Sequence, residues 1–205
     1  MAINTLAPGL VESVLQKLGL PDRPSKSAEG LSHLYRGWCR NVPFDNFMKR
    51  IWLKSGAGFS KQSGGPAIYF QNWLKYGTGG TCWSGTEAFA ALLETLGFHS
   101  NRALGKMGGN DVPAPNHATL FVNVDETQYL VDTSFLFDSP VNWDAVNAEG
   151  VSSHPASKFR IDRSGSQTML FWHPLHFPEP KHFELLRYTV TSDEFDKLHE
   201  KSFST

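Results

Sequence analysis

Apolar residues recur every three or four positions through the first half of the chain. Leu10, Val11, Val14, Leu15 and Leu18 lie at helical spacing, and Gly19 and Pro21 stop the run. A second helix is predicted from about Ala28 to Asn41, with Leu31, Leu34, Tyr35 and Trp38 on one face and Pro43 closing it. A third runs through Ile68, Tyr69, Trp73 and Leu74. The fourth has the clearest stripe, Phe89, Leu92, Leu93 and Leu96, with Gly97 as its stop. Past residue 98 the period changes. HATLFVNV at 117–124 and QYLVD at 128–132 are rich in strand formers, and DETQ at 125–128 reads as a turn. Further strands are predicted at 157–162 and 167–172, and the mixed last 25 residues are read as helical. Glycine and proline cluster at 55–66, 77–80, 105–115 and 174–180, each a predicted loop. The pattern is a helical lobe followed by a mostly antiparallel sheet, an α+β arrangement.

Composition narrows the function classes. The chain has 205 residues, 40% of them hydrophobic, enough for a packed core in one domain or two small lobes. Nineteen Lys and Arg against 20 Asp and Glu leave a net charge of −1, with no basic excess for a nucleic-acid backbone. No stretch reaches the roughly 18 apolar residues that cross a bilayer, so no membrane partner is expected. The N-terminal stretch has no basic flank followed by an apolar run, so it does not read as a secretory signal. Two cysteines, Cys39 and Cys82, are too few for a disulfide scaffold and form no CxxC pair. A reducing, cytoplasmic setting is the expectation.

The candidate chemistry starts at Cys82 in GTGGTCWSG. It follows a glycine-rich turn and opens the clearest helix, where partial positive charge favours a thiolate. The glycines permit close backbone approach, and nearby N–H groups suit an oxyanion. Thr81 or Ser84 is the expected cap, Ser84 and Glu87 having capping-box spacing. Cys39, inside a helix, reads as a small buried hydrophobe. A thiolate nucleophile needs a base and a group to orient it. His117 starts one predicted strand and Asp132 ends the next, an odd number of positions apart. A hairpin centred between Val124 and Asp125 sets them directly opposite. One centred between Asp125 and Glu126 sets Asp132 opposite Thr119. Both registers put the two side chains on one face near the open end. Trp83, beside the cysteine, is a candidate substrate contact. His173, His176 and His182 lie among prolines in a predicted surface loop with no metal geometry, and no metal is expected. GTGG lacks the lysine and hydroxyl of a P-loop.

These residues together resemble the arylamine N-acetyltransferase family, within the wider group of transglutaminase-like cysteine enzymes. Ser27 to Leu34 followed by VPFDNF at 42–47 looks like its N-terminal helix and signature. Residues 67–82 look like the segment leading to the R-G-G-x-C nucleophile motif, HATL at 117–120 like the histidine segment and VDTSF at 131–135 like the aspartate segment.

The resemblance implies a helical domain over 1–98, a β domain over 99–180 and, over 181–205, part of a third domain that is truncated here. The core would be cysteine-proteinase-like. It implies a Cys82–His117–Asp132 triad with Phe44, Thr81, Trp83 and Phe135 at the substrate. Acetyl-CoA would be the co-substrate, with transfer through a Cys82 thioester to an arylamine, hydrazine or N-hydroxyarylamine. The family motif continues as R-G-G-x-C-x-E-x-N, and here Thr78, Ser84 and Thr86 stand at its arginine, glutamate and asparagine. Those departures, and a chain ending at Thr205, leave two alternatives: a CoA-independent thiol enzyme such as an amide synthase or amidase, or a non-catalytic member.

Overall fold

The computed structural model describes residues 5–56, 65–108, 111–145, 151–152, 159–163, 167–173 and 178–203. Among them five helices precede the sheet: α1 (Pro8–Lys17), α2 (Ala28–Asn41), α3 (Phe47–Ser55), α4 (Pro66–Tyr76) and α5 (Cys82–Thr95). Eight strands follow: β1 (His99–Met107), β2 (His117–Val124), β3 (Thr127–Val131), β4 (Val141–Asn142), β5 (Val151–Ser152), β6 (Phe159–Asp162), β7 (Thr168–Trp172) and β8 (Lys181–Arg187). Helix α6 (Ser192–Ser202) comes last. The class is α+β, as the periodicities predicted. No helix among the described residues is long and apolar enough to cross a membrane.

Local chemistry sets the helix ends. Prolines open α1 and α4 at their first turns, where no amide partner is lost. Ser27 Oγ accepts from Gly30 N at 3.1 Å and caps α2. Gly77, at φ +73°, ends α4 in the left-handed region. Trp38 of α2 stacks on Tyr69 of α4, centroids 5.8 Å apart, and meets Phe89 of α5 at 4.9 Å. These rings join three helices in one core.

The strands form one antiparallel sheet in the order β4-β3-β2-β1-β8-β7-β6-β5. Two four-stranded meanders therefore meet where β1 pairs with β8. Helix α5 packs between α4 on one side and β1 and β2 on the other. The predicted single stripe on α5 is thus an underestimate: Thr86, Glu87, Ala88, Ala90 and Ala91 are buried along with Phe89 and Leu92. Buried Glu87 is compensated by Arg102 of β1, whose Nε donates at 2.7 Å and Nη2 at 3.2 Å.

Several elements differ from the sequence expectation, the unpredicted two-residue strands β4 and β5 among them. Helix α3 went unpredicted: Phe47, Met48, Ile51 and Trp52 fall at helical spacing, but the run is only nine residues long and none of them is fully buried. Strand β1, HSNRALGKM, has few strand formers and is a strand because β2 and β8 flank it. It also runs into the loop expected at 105–115. The last 25 residues are not simply helical: Lys181–Arg187 is a strand inside the sheet, and the helix begins at Ser192. Parts of the loops expected at 55–66 and 174–180, and of the strand expected at 157–162, lie outside the described residues.

Candidate active site

Cys82 is the first residue of α5, and Thr81 is the N-cap with φ −76° and ψ 173°. The expected side-chain cap is absent: Thr81 caps nothing, and Ser84 lies in the first turn with its Oγ donating to Thr81 O at 3.3 Å. Glu87 is turned to Arg102 instead of back to Ser84. Among the described residues no side chain therefore covers the first-turn amides of α5, the partially positive end of a largely buried helix.

The loop before Cys82 is strapped down by the PFDNF segment. Asp45 Oδ2 accepts from Gly79 N at 2.6 Å, and Asp45 N donates to Gly80 O at 3.1 Å. Phe44 and Gly80 form a parallel bridge. The two glycines are needed for space, not for unusual dihedrals. A Cβ on Gly79 would stand 1.6 Å from Pro43 O, and one on Gly80 would stand 2.3 Å from Ser84 Oγ. Gly79→Ala is therefore expected to lower the unfolding free energy by about 1–3 kcal/mol, the usual range for overpacking. Urea titration measures this, and an unchanged midpoint would show that the strap yields freely.

His117 and Asp132 come together through the β2–β3 hairpin. Asp125 and Glu126, at φ +48° and +64°, form its two-residue turn, and Val124 pairs with Thr127. The hairpin is centred between Asp125 and Glu126, the second of the two registers. His117 Nε2 meets Asp132 Oδ2 at 2.7 Å, with both side chains buried. Asp132 Oδ1 accepts from Ser134 N at 2.9 Å and Phe135 N at 3.0 Å. The imidazole lies flat on the Phe135 ring, centroids 4.7 Å apart, and meets Phe183 at 5.4 Å.

The electrostatics follow from this packing. Burial by itself disfavours the imidazolium, but the charge and hydrogen bond of Asp132, with a smaller contribution from Cys82, outweigh it and lift the His117 pKa to about 10. Burial by itself raises the Asp132 pKa, and His117 with the two amides outweighs it and lowers the value. The stability supplied by raising the His117 pKa is fully present below the ordinary value of about 6.5 and is lost as pH rises through about 10. That supplied by Asp132 is present above its ordinary value of 3.8 and is lost as pH falls through the lowered one. The Tm advantage of the native protein over His117→Gln is therefore expected to be large near about pH 6 and to shrink toward about pH 10. Thermal unfolding across that range checks it, and a constant difference would contradict the ion pair.

Cys82 opens onto a cleft of about 350 Å³ whose walls include Phe44, Thr81, Trp83, Val112, Asn116, Leu198 and Lys201. The thiol lies 4.0 Å from Asn116 O, within a sulfur hydrogen bond, and Cys82 interacts with the His117 ring. Trp83 is also packed against α6, 5.3 Å from Phe195 and stacked at 6.2 Å on His199. Phe135 is absent from the cleft wall and supports the imidazole from below. Cys39 is partly buried, and burial pushes its thiol up to about 12. At the three departures from the family motif, Thr86 Oγ1 lies 3.5 Å from Thr133 Oγ1 and Ser84 bonds within its own turn. Thr78 Oγ1 is buried without a hydrogen-bond partner among the described residues. No group of three or more potential metal ligands occurs among the described residues.

Sequence reasoning passed over Asp45, Lys49, the 112–116 loop and α6. Asp45 was visible inside the PFDNF segment. The others carry no local signal, because the chain returns them to Cys82 from distant positions.

No curated protein matches the chain. The family model for N-acetyltransferase matches residues 28–191. Solved structures agree in fold. The arylamine N-acetyltransferase from Salmonella typhimurium superposes with a TM-score of 0.74 at 18% identity, covering 95% of this chain and 69% of that one. The enzyme from Mycobacterium smegmatis gives 0.72 at 22% identity, covering 94% and 69%. One from Bacillus cereus, described as having a unique Cys-His-Glu catalytic triad, gives 0.70 at 16% identity, covering 96% and 76%. With the family model spanning most of the sequence and the fold in agreement, the chain belongs to the arylamine N-acetyltransferase family.

Proposed function

We propose that the protein moves an acetyl group from acetyl-CoA to an arylamine, hydrazine or N-hydroxyarylamine through a thioester on Cys82. The observation that carries this reading is the 2.7 Å contact between His117 Nε2 and Asp132 Oδ2. It leaves Nδ1 as the ring nitrogen for Cys82. His117, held as the imidazolium, keeps on Nδ1 the proton that Cys82 gives up, and the Cys82 thiolate attacks the thioester carbonyl of the donor. The first-turn amides of α5 hold the developing oxyanion. The C–S bond to CoA breaks, and the leaving sulfur takes the proton back from His117. The amine then attacks the Cys82 thioester, His117 accepts its proton, and the C–S bond to Cys82 breaks to release the amide. Asp132 keeps the proton of the imidazole on Nε2 and stabilises the cation.

Phe44, Thr81 and Trp83 are assigned to the substrate-facing wall, and Phe135 to the support of His117. Lys49 and Lys201, both on the cleft, suit a donor that carries phosphates. The Bacillus cereus relative with glutamate in the third position supports a carboxylate role for Asp132.

Incubation with acetyl-CoA, followed by intact-protein and peptide mass spectrometry, tests the reading. One acetyl group on Cys82, discharged by added arylamine, is the expected result. Cys82 acylated by an amide or simple thioester but by no acyl-CoA would place the protein with the CoA-independent thiol enzymes. No adduct from any donor would leave a non-catalytic member of the family.

A further inference from the structure

Asp132 follows Val131, the last paired residue of β3, so its own N–H and C=O stand outside both ladders that flank the strand. Asp132 is fully buried, where unpaired main-chain groups are costly. Both groups turn to one atom of α2. The Tyr35 hydroxyl donates to Asp132 O at 2.7 Å and accepts from Asp132 N at 3.2 Å. It also accepts from Phe137 N at 3.2 Å.

A phenol has one proton and two acceptor sites. The amides of Asp132 and Phe137 can only donate, so the hydroxyl proton goes to Asp132 O. Tyr35 has no exposed surface, and its ring packs beside Phe89 at 6.2 Å. Burial, reinforced by Cys39 and Asp132, raises its pKa and keeps the hydroxyl protonated.

We propose that Tyr35 is a positioning residue for the reaction, acting through Asp132. Its hydroxyl stands in for the missing strand partner at the end of β3 and fixes the peptide from which the carboxylate reaches His117. Ser134 N and Phe135 N orient Oδ1, but both belong to the turn that Asp132 itself begins. Tyr35 is 97 positions away and ties that turn to the helical lobe bearing Cys82. The kinetic part of this proposal rests on the acyl-transfer reading; the effect on His117 does not.

Tyr35→Phe is the test. A displacement of about 1 Å in a reacting group costs about 10²-fold, so kcat is expected to fall by about that factor. The KM values for donor and acceptor should stay within about twofold, because the cleft wall is untouched. The titration of His117, followed by NMR, should move down from about 10 toward about 6.5 as its hold on Asp132 loosens. The other groups facing His117, namely Cys82, Phe135 and Phe183, are unaltered by the substitution. A folded variant with lower Tm but unchanged kcat and His117 titration would overturn the proposal.

If the variant does not fold, the native protein supplies the measurement. The Tyr35 hydroxyl proton should appear as a slowly exchanging resonance close to the Phe137 amide. Exchange as fast as that of exposed Tyr76 would overturn the proposal. Should the native chain form no acyl-enzyme, the acyl-transfer reading fails while the His117 titration still decides the role of Tyr35.

Discussion

Cys82→Ala protein is expected to lose acetyl transfer by on the order of 10⁵–10⁶-fold, the scale on which removal of a covalent nucleophile from a triad is felt. The fold should survive. The change removes one sulfur from a residue 9% exposed at the mouth of a cleft. The hydrogen bond lost, to Asn116 O at 4.0 Å, is at the long limit even for sulfur. About 1 kcal/mol of stability is the expected cost, near the centre of the range for single substitutions. Steady-state assays with acetyl-CoA and an arylamine, alongside urea unfolding, give both numbers. Turnover retained within tenfold, with ~ native stability, would rule out the thioester route. His117 would then be acting as a base on an amine that attacks the donor directly. Loss of the sulfur also removes one of the influences that hold the imidazolium, so the His117 titration should fall slightly while its pairing with Asp132 persists.

Asp132→Asn is the second large effect, expected to cost about 10³–10⁴-fold in kcat. The mechanism is a reversed tautomer. In the native protein the carboxylate accepts from Nε2–H, which leaves Nδ1 for the sulfur. In the variant, Ser134 N and Phe135 N still need an acceptor and hold the amide oxygen at the Oδ1 place. The amide nitrogen then faces His117 Nε2 and can only donate. The imidazole must put its proton on Nδ1, where it cannot take one from Cys82. The same change removes the partner of a buried cation, so the His117 pKa falls as burial takes over. Loss of one partner of a buried pair typically costs about 3–5 kcal/mol, discounted here because the imidazole can go neutral. Activity profiles against pH, with ¹⁵N spectra of the imidazole, measure the tautomer directly. A variant with native activity and Nε2 still protonated would remove Asp132 from the mechanism. Asp132→Glu is the informative companion, since a longer carboxylate keeps the charge while moving it off the Ser134 and Phe135 amides.

The hydrophobic periodicity carried the helical lobe well where burial was one-sided. Helices α1, α2 and α4 bury a stripe and leave polar faces to solvent, so local spacing reports them. Helix α3 has Phe47, Met48, Ile51 and Trp52 at helical spacing but no fully buried residue, so its stripe is not matched by a core. Helix α5 is covered on several sides, and alanines at 88, 90 and 91 are part of its packing surface even though they add little to a stripe. Strand β1 and strand β8 are products of pairing. Arg102 and Lys106 within β1 read as solvent residues, yet Arg102 is buried by its bonds to Glu87 and Glu94.

The same division runs through the site. Glycines 79 and 80 are plain in the sequence, but the reason for them, a main-chain oxygen of Pro43 pressed against the loop, is tertiary. The odd separation of His117 and Asp132 showed that a hairpin would put both on one face. Only the two-residue turn at Asp125 and Glu126 chose between registers, because its left-handed dihedrals close the chain at that point and no other. What the sequence by itself determined was the class of fold, the family, and which residue types stand at the start of α5 and along the hairpin. The tertiary structure alone decided which nitrogen of His117 meets Asp132, that Phe135 lies under the ring, and that α6 walls the cleft. Spacing encodes faces and periods over a few residues. Contacts between Tyr35 and Asp132, or Lys49 and Ser202, span about half the chain or more and exist only once separate elements pack.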